Sequence, residues 1–239
     1  MFLKTIKQLL PEKWKRGVKE RMGAPSLHWS LQNLKRKGFN PTVIMDIGAY
    51  EGHWTADALE VFPNARILMV EAQPAKAPFL EGIKKIYPTT DYAISLLSAV
   101  DGATLSFEEN ETASHIVIKP ETGNAYKKIT TQTLDTLAGI KQFPLPDLLK
   151  LDVQGHEMEV LKGAEKCLGN AAVCILEISL LNLGDNTPLL VDMIGFMDQK
   201  GFQAYDISQF MRRPFDKALY QVDMFFVKKE SWLIADKTW

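Results

Sequence analysis

Residues 43–62 place the strongest constraint on the fold. A β-branched apolar run, Val43–Ile47, ends in the loop Asp46-Ile-Gly48-Ala-Tyr-Glu-Gly52, and a helical pattern over His53–Phe62 follows. A strand that turns through a glycine loop into a helix opens a βαβ unit, and a mainly parallel sheet must continue it. The chain then alternates as such a sheet requires. Strands are predicted at Arg66–Val70, Thr90–Ile94, Leu148–Val153 and Val173–Ile178, and helices at Ala75–Tyr87, His156–Leu168 and Leu189–Lys200. Two last strands are expected near Phe202–Ile207 and Tyr220–Val227. Between about Ala99 and Thr136 the rhythm changes. Thr104–Phe107, Ser114–Ile118 and Lys128–Leu134 read as short strands, an antiparallel excursion at one sheet edge that carries loops over the site.

The segment before this core differs in kind. Phe2, Leu3, Ile6, Leu9, Leu10, Trp14 and Val18 follow a roughly helical spacing, and seven Lys and Arg residues lie between them against Glu12 and Glu20. Residues 1–22 are therefore a basic amphipathic stretch, interrupted at Pro11. Such a stretch can make a peripheral membrane contact, or pack its apolar face on the domain or on a second subunit. Gly23-Ala-Pro25 breaks it, and a second helix is expected from Ser26 to Lys37, stopping at Gly38.

Composition narrows the function. The chain has 239 residues and 46% hydrophobic content, enough for one large core. A formal net charge of -1 carries no signature of polyanion binding, so nucleic acid is not the expected partner. Cys167, Cys174 and four scattered histidines show no zinc spacing, and no metal is expected. Both cysteines lie in apolar stretches and read as reduced core residues. The apolar runs are too short to span a bilayer and the start lacks a secretory pattern. The expectation is a cytoplasmic protein, membrane-peripheral at most.

In a doubly wound sheet, ligands bind beyond the carboxyl ends of the strands. Gly48 and Gly52 let a ligand approach the backbone of the first loop. Glu71 follows the second strand, 19 residues beyond Gly52, where an acid can accept both hydroxyls of an adenosine ribose. A dinucleotide site calls for Gly-x-Gly-x-x-Gly, and this loop has Ala49 and Tyr50 instead of a second close glycine. It also begins with Asp46, which suits the cationic groups of S-adenosylmethionine (SAM) and repels a pyrophosphate. Asp152 caps an otherwise apolar strand, and Glu177 ends the next, so the two carboxylates are expected close together. They can polarise a hydroxyl, hold a cation or share a proton, unless Glu177 simply pairs with a nearby Lys or Arg.

Four blocks, in order, resemble the FkbM methyltransferase family. They are Asp46-Ile-Gly-Ala-x-x-Gly52, Val70-Glu71-Ala-x-Pro74, Thr133-Leu-Asp135-Thr-Leu137 and Leu149-Lys-Leu-Asp-Val-Gln-Gly-x-Glu-x-x-Val-Leu-Lys-Gly-Ala164. Val222-Asp223-Met-Phe-Phe226 is similar to the usual last strand. The resemblance implies the class I methyltransferase (Rossmann-like) α/β fold: a doubly wound, mostly parallel seven-stranded sheet with an extra β-hairpin region and N-terminal helices. Residues 41–230 would form the SAM-binding methyltransferase domain, with residues 1–40 a helical segment packed on it or preceding it. The resemblance also implies SAM as cofactor and methylation of an oxygen, on a glycan or small-molecule acceptor. By position, Asp46, Gly48, Ala49, Gly52, Glu71 and Ala72 would contact SAM, Tyr92 and Ala93 would sit near its adenine, and Asp152 beside its methionine part. Tyr50 stands where the family often has Asn, and Gln154 where it often has Glu, so an acid–base role at the latter position does not transfer. Asp152, His156 and Glu177 are the candidate catalytic residues, His156 because its side chain titrates near neutrality. The plainer reading of His156 is a surface residue in a helix's first turn. Ser114 and His115 are candidates to face the acceptor, and His53 to open a helix near the SAM carboxylate. The alternatives are a non-catalytic scaffold at a membrane assembly and an NAD-dependent oxidoreductase.

Overall fold

The computed structural model describes residues 26–111, 114–117, 126–183 and 187–238. The basic stretch 1–22 lies outside them, as does part of the excursion expected between Ala99 and Thr136.

The main sheet is built from β1 (Val43–Ile47), β2 (Arg66–Glu71), β3 (Thr90–Ile94), β8 (Leu148–Leu151), β9 (Val173–Ser179), β10 (Phe202–Arg212) and β11 (Leu219–Lys228). Their order is β10-β11-β9-β8-β1-β2-β3. All neighbours run parallel except those of β11, which is antiparallel to both β9 and β10. Strand order reverses direction between β1 and β8, so the crevice beyond their carboxyl ends is the topological switch point.

Every residue of β1 and β8 is buried. Strands covered on both faces are expected to read as continuous apolar runs. The pleat deals their side chains alternately to two cores. Met45, Ile47, Leu68, Val70, Leu149 and Leu176 belong to one cluster, and Ile44, Ile67, Met69, Leu148 and Ile175 to the other. Helices α1 (Leu27–Arg36), α2 (His53–Val61) and α3 (Ala77–Ile86) close the second cluster through Leu31, Leu34, Leu59 and Leu80. Helices α4 (Leu134–Lys141), α5 (Glu157–Lys162), α6 (Glu165–Asn170) and α7 (Leu190–Gln199) close the first through Leu137, Leu161, Leu168 and Met193. Each fully buried Leu or Met contributes about 1.5–3 kcal/mol. The Ser26 side chain accepts from Trp29 N and caps α1 where the sequence places its start. Cys167 and Cys174 are buried and unpaired in the first core.

The structure departs from the sequence-based expectations in three places. The helix expected over His156–Leu168 is two short ones, α5 and α6, broken at Gly163-Ala164. A Cβ on Gly163 would stand 2.3 Å from the Ser98 carbonyl oxygen, so the backbone of a neighbouring segment lies where a helix side chain would project. The expected strand Lys128–Leu134 stops at Gln132, because the Thr133 hydroxyl caps α4 by accepting from Thr136 N. The excursion is also more than antiparallel. β4 (Leu96–Leu97), β5 (Thr104–Glu108), β6 (His115–Val117) and β7 (Lys127–Gln132) form a second sheet of order β4-β7-β5-β6, in which β4 joins β7 in parallel. This small sheet follows directly on β3 and forms one wall of the site.

Candidate active site

A cavity of about 550 Å³ opens beyond the carboxyl ends of β1, β2, β8 and β9 and beside the amino end of the antiparallel β11, within the ordinary size of a small-molecule site. The small sheet lines it with Leu96, Leu97, Phe107 and Ile116, and Ser114 just before β6 joins them.

The glycine loop forms its floor. A Cβ on Gly48 would lie 1.7 Å from the Asp152 carbonyl oxygen, so only glycine lets the β1 loop pass this close to the end of β8. Gly48 N and Ala49 N donate to Val70 O at 2.9 and 3.0 Å, Tyr50 N to Glu71 Oε2 at 2.9 Å, and Gly52 N to Ala49 O at 2.7 Å. These donors are committed to the protein, unlike those of a loop that cradles phosphate. Tyr50 takes φ +49°, a conformation that Asn adopts more readily than Tyr. Its hydroxyl donates to Glu111 Oε2 at 2.6 Å, and Lys76 Nζ donates to the same oxygen at 2.7 Å while standing 4.0 Å over the Tyr50 ring. This triad ties the loop after β5 to the cofactor-side loops.

Glu71 Oε1 accepts from Gln73 N at 2.9 Å. Both its oxygens are thus oriented by backbone N–H groups at the cavity wall. Each keeps a lone pair for a ribose hydroxyl.

Lys150 is not among the residues the sequence pattern points to, yet it organises the centre. It is buried within β8, and its Nζ lies 3.1 Å from Asp46 Oδ1, 3.0 Å from Gly48 O and 3.7 Å from Asp152 Oδ2. Burial pushes the ammonium down, but Asp46 and Asp152 more than offset this, so it stays charged well above its ordinary range. A lone lysine inside the apolar run Leu148-Leu-Lys-Leu is the signal that marks it. Asp46 itself lies beneath the cavity floor, fully buried, where its Oδ2 accepts from Thr55 Oγ1 at 2.7 Å. Asp46, expected to contact SAM, does not itself line the cavity; its partner Lys150 does. Gly52 also lies below the surface, against Ile83, Met69 and Leu80. Tyr92 and Ala93 do not line the cavity; Ser95, Leu96 and Leu97 do. β3 ends at Ile94 as the sequence predicts, so Tyr92 and Ala93 lie inside the strand and the wall is made by the residues that follow it.

Asp152 and Glu177 come together as the sequence suggests, bridged by Gln154, and His156 lines the same cavity. The Asp152 side chain is 37% exposed and opens to the cavity. Gln154 Nε2 bridges Asp152 Oδ1 and Glu177 Oε2, each at 2.9 Å, and Gln221 Nε2 donates to the same Glu177 oxygen at 3.0 Å. Glu177 is therefore held by neutral amides rather than by a Lys or Arg. Asp223, its register partner on β11, joins the group. Burial, reinforced by Asp152, holds the Asp223 carboxyl up at about 6. Burial, then Asp152, Glu157 and Asp223, hold Glu177 far above the ordinary carboxylate range. Glu157 is buried behind the loop, its Oε1 accepting from Val153 N at 2.9 Å and Gly155 N at 3.2 Å, and burial outweighs these bonds to raise it to about 7. His156 lines the cavity rather than the outer surface. Its Nε2 is 2.9 Å from Ser98 Oγ, and burial lowers its pKa. Ser114 and His53 line the cavity and His115 does not. Among the described residues no group of three or more His, Cys, Asp or Glu is arranged to hold a metal ion.

The methyltransferase FkbM domain family matches residues 46–204, which contain both the glycine loop and the Asp152 block. This chain belongs to the FkbM methyltransferase domain family. The family's fold is the class I methyltransferase fold and its cofactor is SAM. The hexuronic acid methyltransferase AglP of Haloferax volcanii is 36% identical over 74 residues, which cover 31% of this chain and 30% of that protein. The crystal structure of the FkbM methyltransferase from Methylobacillus flagellatus KT superposes with a TM-score of 0.50 at 16% identity, covering 77% of this chain and 43% of that one. The precorrin-6y C5,15-methyltransferase of Geobacter metallireducens GS-15 gives a TM-score of 0.48 at 15% identity, over 84% of this chain and 86% of that one. This chain spans less than half the length of the Methylobacillus chain and matches under a third of the Haloferax protein.

The cavity fits the cofactor. Glu71 offers oriented acceptors for a ribose, the cavity has the volume of a small-molecule site, and its carboxylates suit a sulfonium and an ammonium.

Proposed function

We propose that this chain transfers the methyl group of SAM to a hydroxyl oxygen of a glycan or small-molecule acceptor. The observation that carries the reading is Asp152. It stands where the floor built for a nucleoside meets a wall of carboxyls and amides, and its side chain is open to the cavity. SAM, when bound, supplies an electrophilic methyl group on a sulfonium. Glu71 would hold the ribose, and the Gly48–Ala49 backbone would face the methionine part. Asp152, oriented by Gln154 and Lys150, would align the acceptor hydroxyl and take its proton. His156, kept neutral by burial, stands ready as the second acceptor of that proton. The acceptor-side wall offers Gln154, Gln209, Gln221 and Tyr220, groups that bond neutral hydroxyls. Among the described lining residues its single ammonium, Lys150, is already committed to Asp46. A neutral acceptor suits this wall better than the uronate named for the Haloferax protein.

Titration calorimetry with SAM and with NAD⁺, on the wild type and on Glu71→Ala, tests the cofactor side. SAM should bind saturably, NAD⁺ should give no heat, and Glu71→Ala should weaken SAM at least about tenfold, the scale of hydrogen bonds to a charged group. Incubation with deuteromethyl-labelled SAM and a panel of glycosides, read by fragment mass spectrometry, should place the label on oxygen. Label on nitrogen or carbon would reject O-methylation while leaving the cofactor in place.

A further inference from the structure

The carboxyl groups of the cavity outnumber its cations. Asp57, Glu71, Glu111, Asp152, Glu177 and Asp223 line it, against Lys150 alone among the described lysines and arginines of the wall. The imbalance is steepest on the acceptor side, where three adjacent strands bring Asp152, Glu177 and Asp223 together. The partners of Glu177 there are the amides of Gln154 and Gln221. A low-dielectric wall cannot keep several adjacent carboxylates ionised without a positive charge. Lys150 is committed to Asp46 at 3.1 Å and stands 3.7 Å from Asp152. The remaining demand falls on whatever occupies the cavity.

Resting on the cofactor reading above, we propose that Glu177 and Asp223, with Asp152, form a charge-reading wall that favours a ligand positive at the transfer centre. SAM carries that charge on sulfur. S-adenosylhomocysteine, the demethylated product, has a neutral sulfur and loses the attraction. The wall therefore holds the donor and lets go of the spent cofactor. The groups around Glu177 are Asp152 just after β8, with the Lys150 ammonium 3.7 Å from it, Glu157 behind the loop, Asp223 on β11, and the amides of Gln154 and Gln221. Three of these are acids, and with burial they hold the Glu177 carboxyl far above its ordinary range, so it keeps its proton at neutral pH. A sulfonium placed against this wall makes ionisation of Glu177 favourable, so donor binding expels a proton to solvent, and product binding does not.

Calorimetry on the full chain tests this with three ligands at pH 7.5. They are SAM, sinefungin, which carries an amine in place of the methylated sulfur, and S-adenosylhomocysteine. Two buffers of different ionisation enthalpy count the protons. The wild type should bind SAM and sinefungin at least tenfold more tightly than S-adenosylhomocysteine and release protons with the first two only. Glu177→Gln and Asp223→Asn should bring the affinities within about threefold by weakening SAM. Unchanged affinity for S-adenosylhomocysteine in these variants would show that the cavity is intact. Equal binding of donor and product by the wild type, or no proton release with SAM, overturns the proposal whether or not the variants fold. Heat from none of the three ligands overturns the cofactor reading itself, and this inference with it.

Discussion

Lys150 is the charged residue whose removal should be felt furthest. Asp46 is completely buried, and besides the Thr55 hydroxyl its counterpart is the Lys150 ammonium. Breaking a buried ion pair by deleting one partner leaves an uncompensated charge and costs about 3–5 kcal/mol. Lys150→Met should therefore lower stability by that amount in urea unfolding, with the slope of the transition unchanged. Adding Asp46→Asn removes the stranded charge while keeping an acceptor for Thr55. The double variant should recover at least about half of the loss, since replacing both partners of such a pair is often close to neutral. A double variant as unstable as the single one would mean that Lys150 acts through its bond to Gly48 O and its packing, not through charge. The chemistry of this pair is half legible in the sequence. Asp46 announces itself at the end of an apolar strand, but a side chain's direction is set by the pleat. The pleat turns Asp46 downward to Lys150 and not outward to the cavity.

Two elements meet most tightly where the β1 loop crosses the end of β8, and glycine substitutions separate that contact from ordinary loop geometry. Gly48→Ala puts a methyl 1.7 Å from the Asp152 carbonyl oxygen at φ +74°. The two strand ends must part, which should cost about 3 kcal/mol or more and abolish SAM binding by displacing Asp152. Gly139→Ala is the control. It lies inside α4, exposed, with nothing within 4 Å of an added Cβ, and should raise stability by about 0.5–1 kcal/mol. Thermal melts and SAM titrations on the two variants check both signs, and a harmless Gly48→Ala would refute the close approach. The same contrast explains which elements are readable from sequence. The parallel core is legible because β1, β2, β8 and β9 are buried almost throughout and read as mainly apolar runs between helical periods. The break between α5 and α6 is not legible, because it is imposed by the Ser98 backbone, a long-range neighbour. Ser95–Leu97 and not Tyr92–Ala93 line the cavity because Tyr92 and Ala93 lie within β3, paired with Met69 and Val70, and the wall begins only past the strand end at Ile94.

At the scale of the molecule, the buried acids set how stability depends on pH. Glu157 is raised to about 7, Asp223 to about 6, and Glu177 higher still, all chiefly by burial. Their unfolded values lie near 4, so between about pH 4 and 7 the folded chain holds protons that the unfolded chain has released. Stability from these groups is complete below their unfolded values and is lost as pH rises through the folded ones, by at most about 1.4 kcal/mol per pH unit for each group. His156 works in the opposite sense. Burial lowers it, so its contribution grows as pH rises, but it is one group against three. The depressed carboxylates Asp91, Asp101 and Asp216 act only below about pH 4, where their partners Lys84, Thr133 and Arg213 no longer face ionised acids. A formal net charge of -1 gives little global repulsion to tilt the profile. The thermal midpoint should therefore be highest near pH 4 and fall toward pH 8. Glu157→Gln keeps an oxygen to accept from Val153 N and Gly155 N but cannot ionise, so it should flatten part of that fall. Saturating SAM should flatten more of it, because a positive ligand stabilises the ionised wall that high pH produces. A midpoint that rises from pH 5 to 8 in the wild type would mean that these acids are ionised in the folded protein, and the wall around Asp152 would then be paired in some other way.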